Sequence, residues 1–261
     1  IGGGITCDMT GFIASTFLRG VDFILVPSTL LSQVDASIGG KTGVNHKGFK
    51  NMIGTFNQPA QVIIDTKFLK SLSKLEIQCG MMEVIKHGLI SDKKFFVWLE
   101  KNLNQILSLK PQFIEKAIKR SIEIKADVVT KDERENGIRA ILNFGHTFGH
   151  ALETIGNNKL YAHGEAVALG MLAATKLSES SLDLDCKVFD RVHSIIKNTG
   201  IKVNLKKKIV PKKLIKLMQS DKKKSDSQLK FILLEKIGQA KIKNINNEVV
   251  IENAIKNSLF Y

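Results

Sequence analysis

The chain has 261 residues, 43% of them hydrophobic and 25% charged, which is enough to bury one large core or two smaller ones. Its net charge of +14 comes mainly from scattered lysines, and the aromatic residues, 7% of the total, do not alternate with basic runs as they do on single-strand nucleic-acid surfaces. No apolar stretch approaches the ~20 residues that span a bilayer, and the first residues lack a signal-peptide pattern. Composition therefore favours a cytoplasmic globular protein with a site for an acidic substrate, rather than a nucleic-acid or membrane partner.

The first 70 residues have the pattern of an α/β domain. Apolar runs at residues 22–27 and 61–65 predict buried parallel strands. The glycine-rich stretch 38–43 between them is too irregular for a helix. We therefore expect a partial Rossmann-like domain over residues 1–72.

A glycine turn stands at the very start of the chain. Gly2, Gly3 and Gly4 precede an apolar segment at residues 9–18 that predicts a helix, and such a turn lets backbone amides approach a pyrophosphate. The turn is not a GxGxxG fingerprint, and most glycine turns before helices bind nothing. A nucleotide-binding unit normally opens with a strand before this turn, so we expect an upstream segment to be missing.

From about Ser71 the apolar residues recur with the 3.6-residue period of helices, followed by a hairpin-like pair and a last helix. We expect residues 73–261 to form a mainly helical domain that binds metal and substrate. The predicted helices cover residues 73–90, 93–107, 111–133, 145–155, 165–180, 187–197 and 248–260, and the predicted hairpin pairs residues 229–234 with 239–242.

Histidines in this helical part have the spacing of metal ligands. His146 and His150 lie four residues apart, on one face of a predicted helix, and His163 follows shortly after. Glu83 offers a carboxylate inside an apolar helix. Two histidines and a glutamate suit a catalytic zinc ion that keeps positions open for substrate. The competing interpretation is a coincidental histidine spacing, with Glu83 as an ordinary charge on a helix face.

A set of cationic and amide side chains stands beside glycines or inside apolar sequence rather than on polar faces. Lys86 follows Glu83 by three residues and so shares its helix face. Such groups could hold a phosphate and a carboxylate. The set comprises Arg19, Lys41, Asn51, Lys86, Lys125, Arg139, Asn143 and Lys222.

Taken together, these segments resemble the 3-dehydroquinate synthase family from Gly2 to beyond Asp221. The motifs occur in one order along the chain, which makes the resemblance specific. They are GGGITCD from Gly2, PSTLLSQVD from Pro27, GGKTGVN from Gly39, KNMIG from Lys50, EVIK from Glu83, NFGHTFGH from Asn143 and HGEAV from His163.

The resemblance implies an α/β domain for NAD, a helical domain for metal and substrate, and a homodimer in which Arg19 reaches the neighbouring site. It implies that Glu83, His146 and His163 bind Zn²⁺ or Co²⁺, and that His150 faces the substrate phosphate instead. It places NAD contacts at Gly3, Gly4, Asp8, Ser28, Thr29, Asp35, Lys41, Lys50, Phe68 and Ser71, of which Asp35 and Lys41 also face substrate. It places substrate contacts at Arg19, Lys41, Asn51, Lys86, Lys125, Arg139, Asn143, His150 and Lys222 or its neighbour Lys223.

The implied reaction converts 3-deoxy-arabino-heptulosonate 7-phosphate, a phosphorylated sugar acid, to 3-dehydroquinate and phosphate. It proceeds by NAD-mediated oxidation, phosphate elimination, reduction and intramolecular aldol closure, a step of the shikimate pathway. The alternatives are another sugar-phosphate cyclase, a metal-dependent polyol dehydrogenase, a basic nucleic-acid-binding protein, and an inactive remnant that serves as a binding module. Arg139 with Lys125 as a carboxylate clamp, together with Asn143, favours the dehydroquinate branch.

Overall fold

The computed structural model describes residues 1–46, 49–156, 160–221 and 229–259. They form two compact units, which interrupt each other along the chain: Ile1–Val84 with Asn104–Arg139, and Ile85–Leu103 with Ala140–Tyr261. The helices α2 (Lys74–Ser91) and α3 (Lys93–Leu107) contribute residues to both units. The predicted domain boundary after residue 72 stays a prediction.

The first unit contains the predicted parallel strands. Strand β1 (Ile24–Leu25) pairs with strand β4 (Gln61–Val62), with Ile24 opposite Gln61 and Leu25 opposite Val62. A parallel bridge between Gly2 and Pro27 extends this sheet on its other side. The elements are α1 (Gly4–Thr16), β1 (Ile24–Leu25), β2 (Lys41–His46), β3 (Phe49–Phe56), β4 (Gln61–Val62) and α4 (Pro111–Lys131), with a π-helical turn at Ser32–Ala36 and a 3-10 helix at Thr66–Ser71.

An antiparallel hairpin in this unit was not predicted. β2 and β3 pair from Lys41↔Phe56 to His46↔Phe49, with an irregularity between Val44 and His46. The glycine-rich stretch that ruled out a helix leads directly into β2. Glycines at positions 43 and 54 face each other across the ladder, and a Cβ on Gly54 would lie 2.2 Å from the Thr42 oxygen. Glycine allows this close approach. Because glycine is uncommon inside strands, the same residues kept the sequence pattern from indicating a strand here.

The second unit is mainly helical, as predicted. Its core is α6, which is buried along most of its length because α5, α7, α9 and the hairpin β5–β6 pack around it. The backbone amide of Leu234 donates to Ser178 Oγ at 2.9 Å, which joins the hairpin to α6. The helix α8 was not predicted. The elements are α5 (His146–Ile155), α6 (His163–Leu182), α7 (Lys187–Asn198), α8 (Pro211–Asp221), β5 (Lys230–Lys236), β6 (Gln239–Asn244) and α9 (Glu248–Leu259).

The predicted fold class, a partial Rossmann-like α/β part followed by a mainly helical part, is confirmed by these two units. None of the described helices is both long and apolar enough to cross a membrane.

Candidate functional site

Several of the predicted NAD contacts of the first unit lie at the carboxyl edge of the small parallel sheet. The Gly2 amide donates to Val26 O at 3.1 Å and the Ser28 amide donates to Gly2 O at 2.8 Å, so the glycine turn lies against the end of β1. Helix α1 begins directly after it, with Gly3 as its N-cap and no acidic residue in its first turn. A helix N-terminus at this edge of a parallel sheet is where α/β folds bind phosphate groups.

Three further predicted NAD contacts lie in the turns that follow the strands at this edge. Thr29 and Ser32 cap each other: the Ser32 amide donates to Thr29 Oγ1 at 3.1 Å, and the Thr29 amide donates to Ser32 Oγ at 3.1 Å. Phe68 and Ser71 lie in the 3-10 helix after β4, where Ser71 Oγ donates to Phe68 O at 2.8 Å. These turns fix the backbone that follows each strand.

Gln33 joins the ends of the two strands, and sequence reasoning missed it. Its Nε2 donates to Pro27 O at 3.2 Å and to Asp65 O at 3.0 Å, and the side chain is fully buried. Pro27 lies two residues after β1, and Asp65 caps the 3-10 helix that follows β4. The signal in the sequence was a long polar residue inside the buried segment Leu30–Val34.

Three predicted residues form a charged cluster in this unit. Lys125 Nζ, on α4, donates to Asp35 Oδ1 at 2.5 Å and to Asp35 O at 2.6 Å. Desolvation by burial raises the pKa of Asp8 to about 6, and the nearby Asp35 carboxylate adds to the rise while Lys125 opposes it. Asp8 therefore holds a proton more readily than an ordinary aspartate, beside a lysine that is only 6% exposed.

Arg139 is buried at the end of a turn that its own backbone helps to form. Its Nη2 donates to Gly39 O at 2.8 Å and its Nη1 donates to Glu133 O. The Asp132 carboxylate accepts hydrogen bonds from the amides of Asn136 at 2.9 Å, Gly137 at 2.8 Å and Arg139 at 2.9 Å. The hydrogen bond from the Arg139 amide, followed by those from Asn136 and Gly137, lowers the pKa of Asp132. Sequence reasoning missed Asp132, because an aspartate before a loop is common.

Two further predicted residues of this unit, Lys41 and Arg19, are exposed. Lys41, the first residue of β2, forms an ion pair with Glu135, another residue that the sequence did not single out. Arg19 is exposed, and its φ of 69° places it in the left-handed region. Lys50 and Asn51 lie in β3, but the structure does not describe their side chains, and Lys222 lies outside the described residues.

In the second unit, the predicted histidines lie together at the starts of two helices. His146 is the first residue of α5 and His163 the first residue of α6. The His146 ring centroid is 5.5 Å from that of His163 and 5.3 Å from that of His150. These distances do not by themselves select His163 over His150 as the partner of His146. An open cleft beside them is lined by Asn143, His146, Thr147 and His150, and by Leu217 and Met218 of α8.

Glycines explain why α5 and α6 can lie this close. A Cβ on Gly170 of α6 would lie 2.0 Å from the Gly145 carbonyl oxygen, so that the backbones of the two segments are in direct contact. Gly145, the N-cap of α5, has a φ of 83°, which other residues adopt only under strain. The glycines of the NFGHTFGH motif therefore serve the helix packing that brings the histidines together.

Two other predicted residues lie on α2. Glu83 is fully buried in the part of α2 that belongs to the first unit, and Lys86 is 1% exposed in the part that belongs to the second. A buried carboxylate and a buried ammonium on a helix are rare without a partner or a ligand. Asn143 ends the 3-10 helix Ile138–Asn143 and is half-buried.

Most of the chain is similar to one family of known proteins. The N-terminal model of 3-dehydroquinate synthase matches residues 1–79, and the C-terminal model matches residues 80–224. The 3-dehydroquinate synthase of Nitrosomonas europaea is 48% identical over 240 residues, which cover 92% of this chain and 65% of that protein.

Two solved structures have nearly the same fold. The 2-epi-5-epi-valiolone synthase from Streptomyces hygroscopicus subsp. jinggangensis 5008, solved with NAD⁺ and Zn²⁺, superimposes with a TM-score of 0.90 at 27% identity, over 98% of this chain and 71% of that one. A 2-deoxy-scyllo-inosose synthase complexed with carbaglucose-6-phosphate, NAD⁺ and Co²⁺ gives a TM-score of 0.89 at 27% identity, over 99% and 73%.

The fold thus has the architecture of the sugar-phosphate cyclases. Within that class, the chain belongs to the 3-dehydroquinate synthase family. It spans 65% of the length of the Nitrosomonas relative.

Proposed function

We propose that this chain carries the chemistry of a 3-dehydroquinate synthase, a phosphorus–oxygen lyase that turns 3-deoxy-arabino-heptulosonate 7-phosphate into 3-dehydroquinate and phosphate. The observation that carries the proposal is the family match, which runs without interruption from residue 1 to residue 224 through every motif named above. NAD supplies a reversible hydride acceptor when bound, and a divalent metal supplies a Lewis acid for a substrate oxygen.

The residues present fit both groups. Glu83, His146 and His163, which the resemblance assigns to the metal, supply one carboxylate and two imidazoles, the donor chemistry that zinc prefers in catalytic sites. The start of α1 offers backbone amides, and Ser28 and Thr29 offer hydroxyl groups, at the carboxyl edge of the sheet, which suits a dinucleotide. The relatives with NAD⁺ and Zn²⁺ or Co²⁺ support the same pair of cofactors.

The substrate's two anionic groups would have different partners. We assign the carboxylate to Arg139 and Lys125, both nearly buried, because a buried guanidinium provides a strong and directional hydrogen-bonding fork. We assign the phosphate to the cleft at His150 and Asn143. The other substrate contacts that the resemblance implies stay predictions, with Arg19 expected at the site of a neighbouring subunit: Lys86, Arg19, Lys41, Asn51 and Lys222. The expected homodimer and the cytoplasmic location stay predictions.

A phosphate-release assay with the heptulosonate phosphate, NAD and zinc tests the activity. We expect phosphate to appear without accumulation of NADH, because the cofactor is oxidised again within each turnover. Accumulating NADH would instead indicate a polyol dehydrogenase. Equal turnover of an analogue that lacks the carboxylate would indicate another cyclase, and no turnover with both cofactors bound would indicate a binding module.

The carboxylate assignment has a test of its own. Arg139→Lys keeps the positive charge but loses the bidentate fork, so we expect KM for the substrate to rise roughly 10-fold or more, while the Kd for NAD stays within about twofold. Arg134→Lys, an exposed arginine of the same loop, is the matched control and should change neither value. Equal losses for substrate and NAD would show that Arg139 is misassigned.

A further inference from the structure

Glu153 is a buried acid beside one of the proposed metal ligands. It lies on α5, seven residues after His146 and three after His150, and is 5% exposed. Its Oε1 lies 3.3 Å from Nδ1 of His163 on α6. The neighbouring helices therefore deliver a carboxylate to the side of the His163 ring that carries Nδ1.

The second proposed ligand has an equivalent contact. Nδ1 of His146 lies 3.3 Å from the carbonyl oxygen of Phe144. A carbonyl oxygen only accepts hydrogen bonds, so Nδ1 of His146 must carry the proton. An ionised carboxylate also only accepts, which assigns the same tautomer to His163. In both rings Nε2 is then the nitrogen with a lone pair for a metal ion.

The backbone around His163 is held separately from its ring. The Ala162 amide donates to Glu165 Oε2 at 2.8 Å, and Lys206 Nζ bonds the same oxygen at 2.6 Å. Lys206 also donates from its backbone amide to Tyr161 Oη at 3.0 Å. Glu165 and Lys206 hold the backbone at the start of α6 but do not contact the ring through these bonds. The contact with Glu153 therefore sets the rotation and the tautomer of the His163 imidazole.

We infer that Glu153 is a positioning residue for the metal centre, which holds His163 in the Nδ1–H tautomer with Nε2 directed to the ion. The inference rests on the proposed function, because it takes His163 as a ligand. Metal-ligating histidines usually donate their other ring N–H to a carboxylate or carbonyl oxygen, and loss of that partner typically lowers metal affinity 10- to 100-fold. Glu153 and the Phe144 carbonyl would be these two partners.

Zinc affinity, measured by competition with a chromophoric chelator, tests the role without relying on activity. We expect Glu153→Ala to weaken zinc binding by about 10- to 100-fold, and Glu153→Gln, which keeps an accepting oxygen but loses the charge, to weaken it less. His163→Ala should abolish stoichiometric binding. Glu179→Ala, which removes an acid of α6 that pairs with Lys176, is the matched control and should bind zinc as the unsubstituted chain does.

A second measurement does not depend on metal, and its first result needs no variant. Long-range ¹H–¹⁵N NMR correlations of the metal-free chain, recorded above the pH at which the rings are observed to titrate, report the tautomer of each ring. We expect Nδ1–H for His163 and His146, and a mixed tautomer for His163 alone in Glu153→Ala.

The outcomes separate the two proposals. An unsubstituted chain that binds no zinc, or a His163→Ala variant that binds it normally, would overturn the proposed metal site and the inference with it. Zinc that needs His163 but is bound equally well by Glu153→Ala would overturn the role of Glu153 alone. An Nε2–H tautomer for His163 in the unsubstituted chain would overturn it as well.

Discussion

The two units hold their candidate functional groups in different ways. In the second unit the backbone does most of the positioning: His146 and His163 begin two helices that touch through glycines, and a main-chain carbonyl fixes one ring. In the first unit charged side chains hold one another, as Lys125 holds Asp35. Backbone positioning is insensitive to charge state, whereas mutual positioning of charges depends on pH and on each partner. Substitutions that disturb packing should therefore destabilise the second unit most, and substitutions that change charge should destabilise the first unit most.

The largest expected effect is a packing change in the second unit. In Gly170→Ala the added Cβ would meet the Gly145 carbonyl 2.0 Å away, so α5 and α6 must separate. We expect the free energy of unfolding to fall by about 3 kcal/mol, because overpacking against backbone has no soft side chain to displace. Urea unfolding followed by circular dichroism measures it. Gly137→Ala, whose Cβ would lie 3.7 Å from Asp132 Oδ2, is the control and should change stability by less than about 0.5 kcal/mol. Equal stability of both variants would contradict the close approach of the helices.

A change of charge in the first unit comes next. Lys125→Met leaves the Asp35 carboxylate, with 28% of its side chain exposed, without its cation and next to Asp8. We expect a loss of about 2 kcal/mol, below the value for a fully buried pair because Asp35 keeps some solvent. The loss should be larger at pH 8 than at pH 5, since ionised Asp8 and Asp35 then repel each other without screening by Lys125.

The control for this change is Lys256→Met, which removes a helix-surface pair with Glu252 and should cost less than about 0.5 kcal/mol at either pH. A pH-independent loss for Lys125→Met would show that the lysine acts by packing its stem rather than by its charge.

The smallest of these effects has the opposite sign. The pKa of Asp8 is raised to about 6 in the folded chain. Between about pH 4 and pH 6, Asp8 therefore keeps its proton in the folded chain but loses it in the unfolded chain. The ionised form of Asp8 therefore lowers stability as the pH rises through 6. Asp8→Asn removes this penalty. We expect it to stabilise the chain by on the order of 1 kcal/mol at pH 8, discounted for partial exposure, and not at all below pH 4.

Thermal unfolding across this pH range measures the effect, with Asp22→Asn as the control for an exposed carboxylate. Asp8→Asn should raise Tm at pH 8 and leave it unchanged at pH 4. A gain that is constant with pH would contradict the raised pKa of Asp8.

The sequence predicted the long elements well and the non-local contacts poorly. The parallel strands and most helices followed from apolar periodicity, which burial on one side of a helix or on both sides of a strand imposes. The hairpin β2–β3 was not predicted because its glycines, which let the two strands approach closely, are typical of loops in a sequence. The helix α8 was not predicted because its first residues, a proline followed by lysines, are typical of a solvated loop.

The candidate site shows the same limit. Histidine spacing alone made His150 the natural companion of His146, and the two ring distances from His146, to His150 and to His163, are nearly equal. Glu153 was missed because a glutamate on a helix face usually meets only solvent, and its contact with His163 joins two helices. Gln33 was missed because the two carbonyls that it binds lie 6 and 32 residues away in the chain. Such contacts become visible only when the fold brings distant segments together.

The contact between Gly170 and the Gly145 carbonyl has an evolutionary consequence. A clash between two side chains can be relieved by a second substitution that shortens the partner, but a backbone oxygen cannot be shortened by any substitution. A variant at position 170 therefore has no simple compensating mutation, and the two helices can change only together or not at all. Laboratory evolution of this chain should leave the helix pair unchanged and find its tolerated changes in the loops and in α8, whose side chains line the cleft.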